Sequence, residues 1–100
     1  MKPFTIHADA EAEFREALER YERRRIGLGG EFRAEFEAAL ARIRDNPEMY
    51  AVEDDAGVRL CPLHRFPFTV VYVDAGASIW IAAVAHQHRR PGYWSRRRPN

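Results

Sequence analysis

The stretch that most restricts the fold is IWIAAVA, seven consecutive apolar residues from Ile79 to Ala85. A strand with one face in water alternates apolar and polar residues, whereas a strand covered on both faces is apolar throughout. We therefore predict that this run forms the central strand of a sheet. Its carboxyl end then carries the polar residues from His86 onward away from the middle of the sheet, on a rigid platform.

Other periodic patterns predict a strand and two helices before the sheet. KPFTIH at residues 2–7 alternates as a short strand ending at a possible capping residue, His7, and a helix capped by Asp9 runs to about Arg25. Its charges, with Glu16–Arg20 and Glu19–Arg23 spaced four apart, indicate a solvated face. GLGG at residues 27–30 is predicted to be a tight turn into a second helix, which Asn46 and Pro47 end.

The second half of the chain completes an α+β domain. Val58–Leu63 and Phe68–Val73 are further strand-like runs, so the predicted order is β-α-α-β-β-β. This order predicts one domain over residues 1–100, in which a helical hairpin packs on a mostly antiparallel sheet that ends in a three-stranded meander.

Charge is divided unevenly along the chain, although the net charge is only +1. Residues 1–57 sum to −5 and residues 58–100 sum to +6, and every cation in the second part is arginine. Guanidinium groups fork onto phosphates and carboxylates, so this asymmetry favours an anionic partner. Residues 95–100 are predicted to be a mobile basic tail, in which Arg96, Arg97 and Arg98 attract polyanions without specificity.

Several other protein classes are disfavoured. The chain has neither a long apolar run nor a secretory leader, which predicts a soluble cytoplasmic protein. Cys61 has no disulfide partner and is predicted to fill the core. GLGGEF lacks the phosphate-loop pattern and follows a helix. The histidines His64, His86 and His88 come without a clear third ligand, so we predict no metal and no other cofactor.

Short motifs follow one another in an informative order: KPFTIH, A-x-x-EF-x-EAL-x-x-Y, GLG-x-x-F, I-x-x-NP, RFPF-x-VVY and I-x-I-x-AVAH-x-x-RRP-x-YW, over roughly residues 4–97. Together they resemble the RelE/ParE superfamily of bacterial type II toxins. The resemblance implies a RelE-like fold and a toxin that is neutralised by a small antitoxin encoded beside it. It also implies one of two activities, which are cleavage of mRNA on the ribosome and inhibition of DNA gyrase.

Histidines, arginines and aromatic residues near the strand ends form the candidate site. Cleavage of RNA between the 2′-hydroxyl and the adjacent phosphate needs a base, an acid and cations, which these residue types supply without metal. The predicted catalytic residues are Arg65, His86, His88, Arg89, Arg90 and Tyr93. The predicted substrate-binding residues are Arg59, His64, Trp94, Arg96 and Arg97.

This site requires that Arg59 and Arg65, on the second strand and its following turn, converge at one sheet edge with Arg89 and Arg90, which follow the last strand. The alternative for the arginines is that they bind only the antitoxin or are solvated. For Trp94, the alternative is an aromatic pair with Tyr93 that folds back against the core.

Two departures from the pattern of ribosome-dependent members leave three functions open. Thr69 follows Phe68 where those members commonly have arginine. Those members also use lysines on the second strand as the base, whereas Lys2 is the only lysine in this chain. The first function is an mRNA interferase that uses histidine as acid or base. The others are a gyrase inhibitor without chemistry of its own and a degenerate member that only binds its antitoxin.

The expected partners follow from these functions. An antitoxin is expected in all three cases, with an acidic and apolar C-terminal segment laid across the helical hairpin and the sheet edge. The further partners are the ribosome and mRNA for the interferase, or gyrase for the inhibitor. No membrane partner is expected.

Overall fold

The computed structural model describes residues 2–99 and confirms the predicted order of elements. Met1 and Asn100, the ends of the predicted domain, lie outside the described residues. No helix within residues 2–99 has the length and apolar character needed to cross a membrane. The elements are β1 (Phe4–Ile6), α1 (Ala8–Arg24), α2 (Leu28–Asp45), β2 (Arg59–Pro62), β3 (Phe68–Asp74) and β4 (Ile79–His86).

The four strands form one sheet in the order β1-β4-β3-β2. Strands β2, β3 and β4 form the predicted antiparallel meander, while β1 runs parallel to β4. β4 is therefore central, and all seven residues of IWIAAVA are buried. The prediction from that apolar run is confirmed.

Each face of the sheet has its own cover. The two helices pack on one face around an aromatic cluster. Tyr93 and Trp94 pack on the opposite face against a smaller cluster that includes Trp80 and Val71. The structure therefore agrees with the interpretation that Tyr93 and Trp94 fold back against the core. The aromatic cluster under the helices consists of Phe14, Tyr21, Phe32, Phe36, Phe66 and Phe68.

A bulge in β4 decides which of its side chains face the helices. Ala82 is the extra residue, opposite the pair Val71–Tyr72, so the strict alternation expected for β4 breaks there. Alternation would place Val84 with Trp80, whereas Val84 packs on the helix side and Trp80 on the opposite side. Because side chains alternate again after the bulge, His86 lies on the helix side, as Val84 does.

The ends of the helices differ from the prediction in two places. The N-cap of α1 is His7 rather than Asp9, because the Nδ1 atom of His7 accepts a hydrogen bond from the Asp9 N–H at 3.0 Å. The GLGG segment is not all turn. Within it only Gly27 has a left-handed backbone, with φ 91°, and Leu28–Gly30 already form the first turn of α2.

Two neighbouring glycines in α2 provide a test of how the hairpin packs. A Cβ atom on Gly29 would lie 2.9 Å from the carbonyl oxygen of Leu18 and 3.0 Å from Oε1 of Glu22, whereas one on Gly30 would meet nothing within 4 Å. Gly29→Ala is expected to lower the free energy of unfolding by about 1–3 kcal/mol, because the extra methyl group is overpacked. Gly30→Ala should be neutral or stabilise by up to about 1 kcal/mol. Urea denaturation of both variants measures this difference, and equal midpoints would contradict the close approach.

Candidate functional site

Two histidines lie at the carboxyl end of β4. His86 pairs with Phe68 across the sheet, and their rings are perpendicular with centroids 5.1 Å apart. The ring of His88 lies 5.0 Å from that of His86. The Nδ1 atom of His86 accepts a hydrogen bond from the His88 N–H at 3.0 Å, so the neutral His86 ring carries its proton on Nε2.

These histidines line a depression between β4 and α1, which we call the histidine pocket. Its volume is about 290 Å³, and it contains both carboxylates and guanidinium groups. Burial lowers the pKa of His86, and the charges of His88 and Arg20 lower it further. His86 is therefore mainly neutral at pH 7 and able to accept a proton. The pocket is lined by Glu13, Glu16, Ala17, Arg20, Phe68, Val84, His86, His88 and Arg89.

One edge of β4 is completed by side chains rather than by a strand. Strand β1 ends at Ile6, so in the described part of the chain the rest of β4 has no strand partner on that side. Glu13 Oε1 accepts the Val84 N–H at 3.0 Å, and Arg97 Nη1 donates to the Ala82 carbonyl at 3.0 Å. Glu13 and Arg97 also form a two-pronged ion pair with distances of 3.0 and 2.8 Å. We call this pair the Glu13–Arg97 clamp. It satisfies backbone groups that an open sheet edge leaves exposed.

Tyr93 belongs to the same network. Its hydroxyl donates to Glu13 Oε2 at 2.7 Å, and the guanidinium carbon of Arg89 lies 3.9 Å from the centre of its ring. Burial raises the pKa of Tyr93, and the hydrogen bond to Glu13 raises it further. Tyr93 therefore holds its proton firmly and is a weak acid at neutral pH.

The clamp also changes the acidity of Glu13. Burial alone raises the pKa of this carboxyl group, but hydrogen bonds from Arg97, Tyr93 and the Val84 N–H outweigh that effect and hold the pKa below its usual value. Glu13 is consequently charged at neutral pH, which suits its pairing with Arg97 and does not suit proton donation.

Arg97 departs from the predicted mobile tail. Its side chain is 14% exposed and that of Glu13 is 15% exposed, so this arginine anchors the C-terminal segment. The reason is that Glu13, 84 residues earlier, offers an ion pair at an edge that needs covering. Arg96 and Arg98 are exposed, and Arg98 donates to nearby carbonyl groups, among them that of Ser95.

Arg65 shares a depression with His86, and Arg59 does not. Arg65 and His86 line a second depression beside the histidine pocket, and Arg65 also pairs with Glu31 at 2.8 Å. Arg59 donates to the carbonyl of Tyr50 at 2.5 Å. Its partner in the sheet is Tyr72, four residues along β3 from Phe68 and thus about 13 Å away. Of these two arginines, only Arg65 therefore lies beside His86, and it lines a different depression from Arg89.

The remaining predicted site residues are dispersed. His64 lies in the turn after β2, and its backbone N–H bonds the Glu35 carboxylate. Arg90 is exposed and lines neither depression, and Trp94 lies on the opposite face of the sheet. Within the described part of the chain, no group of three or more His, Cys, Asp or Glu side chains is placed to hold a metal ion.

Sequence reasoning missed the contribution of α1. Arg20 was assigned to a solvated face, and Glu13 and Arg24 were given no role in the site, but all three line the depressions or form the clamp. The one i,i+4 ion pair that α1 makes within residues 2–99 is Glu11–Arg15, at 3.6 Å. Their spacing could have indicated this role. Offsets of 0, 7 and 11 place the three residues on one side of the helix, next to its apolar stripe.

Comparison with known proteins agrees with this architecture. A family model described as "ParE toxin of type II toxin-antitoxin system, parDE" matches residues 4–91. Among solved structures, "Chromosomal ParDE TA system from P. aeruginosa" is similar at a TM-score of 0.61 and 16% sequence identity, over 86% of this chain and 96% of that chain. At this identity the likeness concerns the fold alone. No curated protein sequence matches. The family match spans both helices and all four strands, and the chain therefore belongs to the ParE toxin family, within the RelE/ParE superfamily of type II toxins.

Proposed function

We propose that this ParE-family toxin arrests growth by binding DNA gyrase rather than by cutting RNA. The observation that carries the proposal is the state of the candidate catalytic side chains, because half of the six are held by intramolecular contacts. Tyr93 is bonded to Glu13, Arg89 lies over the Tyr93 ring, and Arg65 is paired with Glu31. Side chains engaged in this way support a rigid binding surface better than a set of free acids and cations.

The electrostatics of the histidine pocket point the same way. A pentacoordinate phosphate develops negative charge during RNA cleavage and needs cations aimed at it. The pocket places Glu13 and Glu16 beside the histidines, so the two cations that it holds, Arg20 and Arg89, are offset by carboxylates. Carboxylates there oppose the approach of a phosphate, which weakens the case for catalysis at this position.

A second candidate function, ribosome-dependent cleavage of mRNA, is favoured by the histidine pair. His86 is neutral at pH 7 because burial lowers its pKa, and His88 lies 5.0 Å away, so one ring could accept a proton while the other donates one. In that function the partners are the ribosome and mRNA. The pocket residues Arg20 and Arg89 would supply the cations.

The double variant His86→Ala/His88→Ala separates the two functions. Under the gyrase proposal it should keep most of the growth arrest, within about twofold of the unaltered toxin, because no proton transfer is involved. Under the RNA proposal the loss of acid and base should reduce cleavage by about 100-fold or more. Circular dichroism of the purified variant checks that it is folded.

The direct experiment measures both targets with one protein preparation. Purified toxin is added to a gyrase supercoiling assay and to a cell-free translation reaction in which mRNA 5′ ends are mapped. Inhibited supercoiling with intact mRNA supports the proposal. Ribosome-dependent cuts with normal supercoiling overturn it in favour of cleavage, and inactivity in both assays identifies a chain that only binds its antitoxin.

We further propose a cognate antitoxin as partner, with an acidic and apolar C-terminal segment on the helical hairpin and the sheet edge. Support comes from the family and from the net charge of +6 on residues 58–100. Co-expression of the neighbouring antitoxin should restore growth and co-purify with the toxin. Growth arrest that the antitoxin leaves unchanged would contradict this partnership.

A further inference from the structure

A second depression shares Arg20 and His86 with the histidine pocket, and we call it the arginine cleft. Its volume is about 340 Å³, and its walls carry Arg20, Arg24 and Arg65 around His86. Among residues 2–99 no carboxylate lines it, whereas the histidine pocket contains Glu13 and Glu16. The cleft is therefore the more cationic of the two.

Among the described residues, two of the three cleft arginines, Arg20 and Arg24, have no anionic partner. Within residues 2–99, Arg20 forms no ion pair or hydrogen bond through its side chain, and the guanidinium carbon of Arg24 lies 5.5 Å above the Tyr21 ring. Arg65 pairs with Glu31, but Arg25 shares the same carboxylate. Three guanidinium groups thus have one shared counter-charge, and the Arg65 side chain is still 60% exposed.

The two walls of the cleft are held in place. Arg20 and Arg24 are four residues apart on α1, so they lie on the same face of that helix. Arg65 lies on the β2–β3 turn, whose backbone is tied to α2 because the Arg65 N–H donates to both oxygens of Glu35, at 3.1 and 3.2 Å. Guanidinium forks carried on two walls of fixed backbone can contact successive anionic groups of one ligand.

We propose that the arginine cleft binds the phosphate backbone of a nucleic-acid strand. A protein ligand fits less well, because the aromatic side chains in the cleft, Tyr21 and Phe66, are only 8% and 6% exposed and offer little surface to an anchoring side chain. Backbone binding needs only accessible cations at regular positions. This inference goes beyond the proposed function and does not depend on whether gyrase or mRNA is the target.

Fluorescence anisotropy with short labelled single strands, one of RNA and one of DNA with the same sequence, tests the site. The variant Arg20→Ala/Arg24→Ala should bind at least about 10-fold more weakly and reduce the slope of log affinity against log salt by about 1.4, since each lost phosphate contact contributes about 0.7. The matched control is Arg15→Ala/Arg23→Ala, which removes the same charge from α1 outside the cleft. It should change affinity and slope much less.

Each outcome has a defined meaning when circular dichroism shows that the variants are folded. Equal binding of RNA and DNA supports contact with phosphates, and a preference for RNA supports the site with an added 2′-hydroxyl contact. Equal losses in both double variants overturn the proposal, because only general charge would then matter. Failure of the unaltered protein to bind either strand at low salt also overturns it, and binding of polyglutamate instead would identify an acidic-peptide surface. The gyrase and translation assays remain independent of all these results.

Discussion

Glu13→Ala is expected to lower the free energy of unfolding by about 2–3 kcal/mol. Its carboxylate accepts from Arg97, Tyr93 and the Val84 N–H, so truncation leaves a guanidinium, a hydroxyl and a backbone donor without their partner. Breaking a fully buried pair costs about 3–5 kcal/mol, and the clamp is close to that case but partly reached by water. For a domain of this size the melting temperature should fall by roughly 8–24 °C.

Glu16→Ala is the matched control for this prediction. Glu16 is an exposed carboxylate on the same helix and one turn from the clamp, and its loss should change stability by no more than about 0.5 kcal/mol. Thermal denaturation of the two variants gives the comparison. If Glu13→Ala has the same melting temperature as Glu16→Ala, the clamp does not hold the C-terminal segment to the sheet.

The pH dependence of stability provides a second readout of the clamp. The pKa of Glu13 is lowered in the folded state, so its stabilisation is fully present above its unfolded pKa of about 4.3 and is lost as pH falls through the folded pKa. The unaltered protein should therefore lose stability below about pH 4. Glu13→Gln should be less stable at pH 7 and should show a smaller loss on acidification, because its side chain has no proton to gain.

The central strand could be predicted because burial on two faces leaves a direct mark on sequence. IWIAAVA has no polar residue to place in water, so its central position followed from local composition alone. The bulge at Ala82 could not be predicted in this way. Every neighbouring residue is apolar, so the pattern fits equally well whichever of them face the helices. Only the packing of β4 against β3 and the helices selects it.

Site residues that directly follow a strand could be predicted from the sequence. Residues whose role depends on a contact with a residue far away in the sequence could not. His86 and His88 follow β4 directly, and the strand fixes where they emerge. The role of Arg97 depends on Glu13, which lies on the first helix, and no local rule relates these positions. Arg59 was misplaced because the sequence gives its strand but not its distance along the sheet from the histidines.

Phe32→Ala is expected to cause the largest loss of stability, about 3–5 kcal/mol, through the cavity that it leaves in the core. Phe32 is fully buried, and its ring lies 5.3–5.5 Å from those of Phe14, Tyr21, Phe66 and Phe68. Total stability of a small domain is about 5–15 kcal/mol, so this variant should unfold at much lower urea concentration.

Phe32 is also connected to His86 through the ring of Phe68. Phe68 touches both Phe32 and His86, so a smaller side chain at position 32 should loosen the surface on which His86 rests. Phe32→Leu should remain folded, with a loss of about 1–2 kcal/mol. Because burial is the main cause of the lowered pKa of His86, that pKa should move up toward its ordinary value in Phe32→Leu.

Titration of His86 by NMR in two variants tests this connection. Val71→Ala is the control, since Val71 is fully buried but packs in the cluster on the opposite face of the sheet. It should lower stability and leave the His86 titration unchanged. An unchanged titration in Phe32→Leu would mean that the sheet alone fixes His86, and the aromatic cluster would then serve stability without positioning the site.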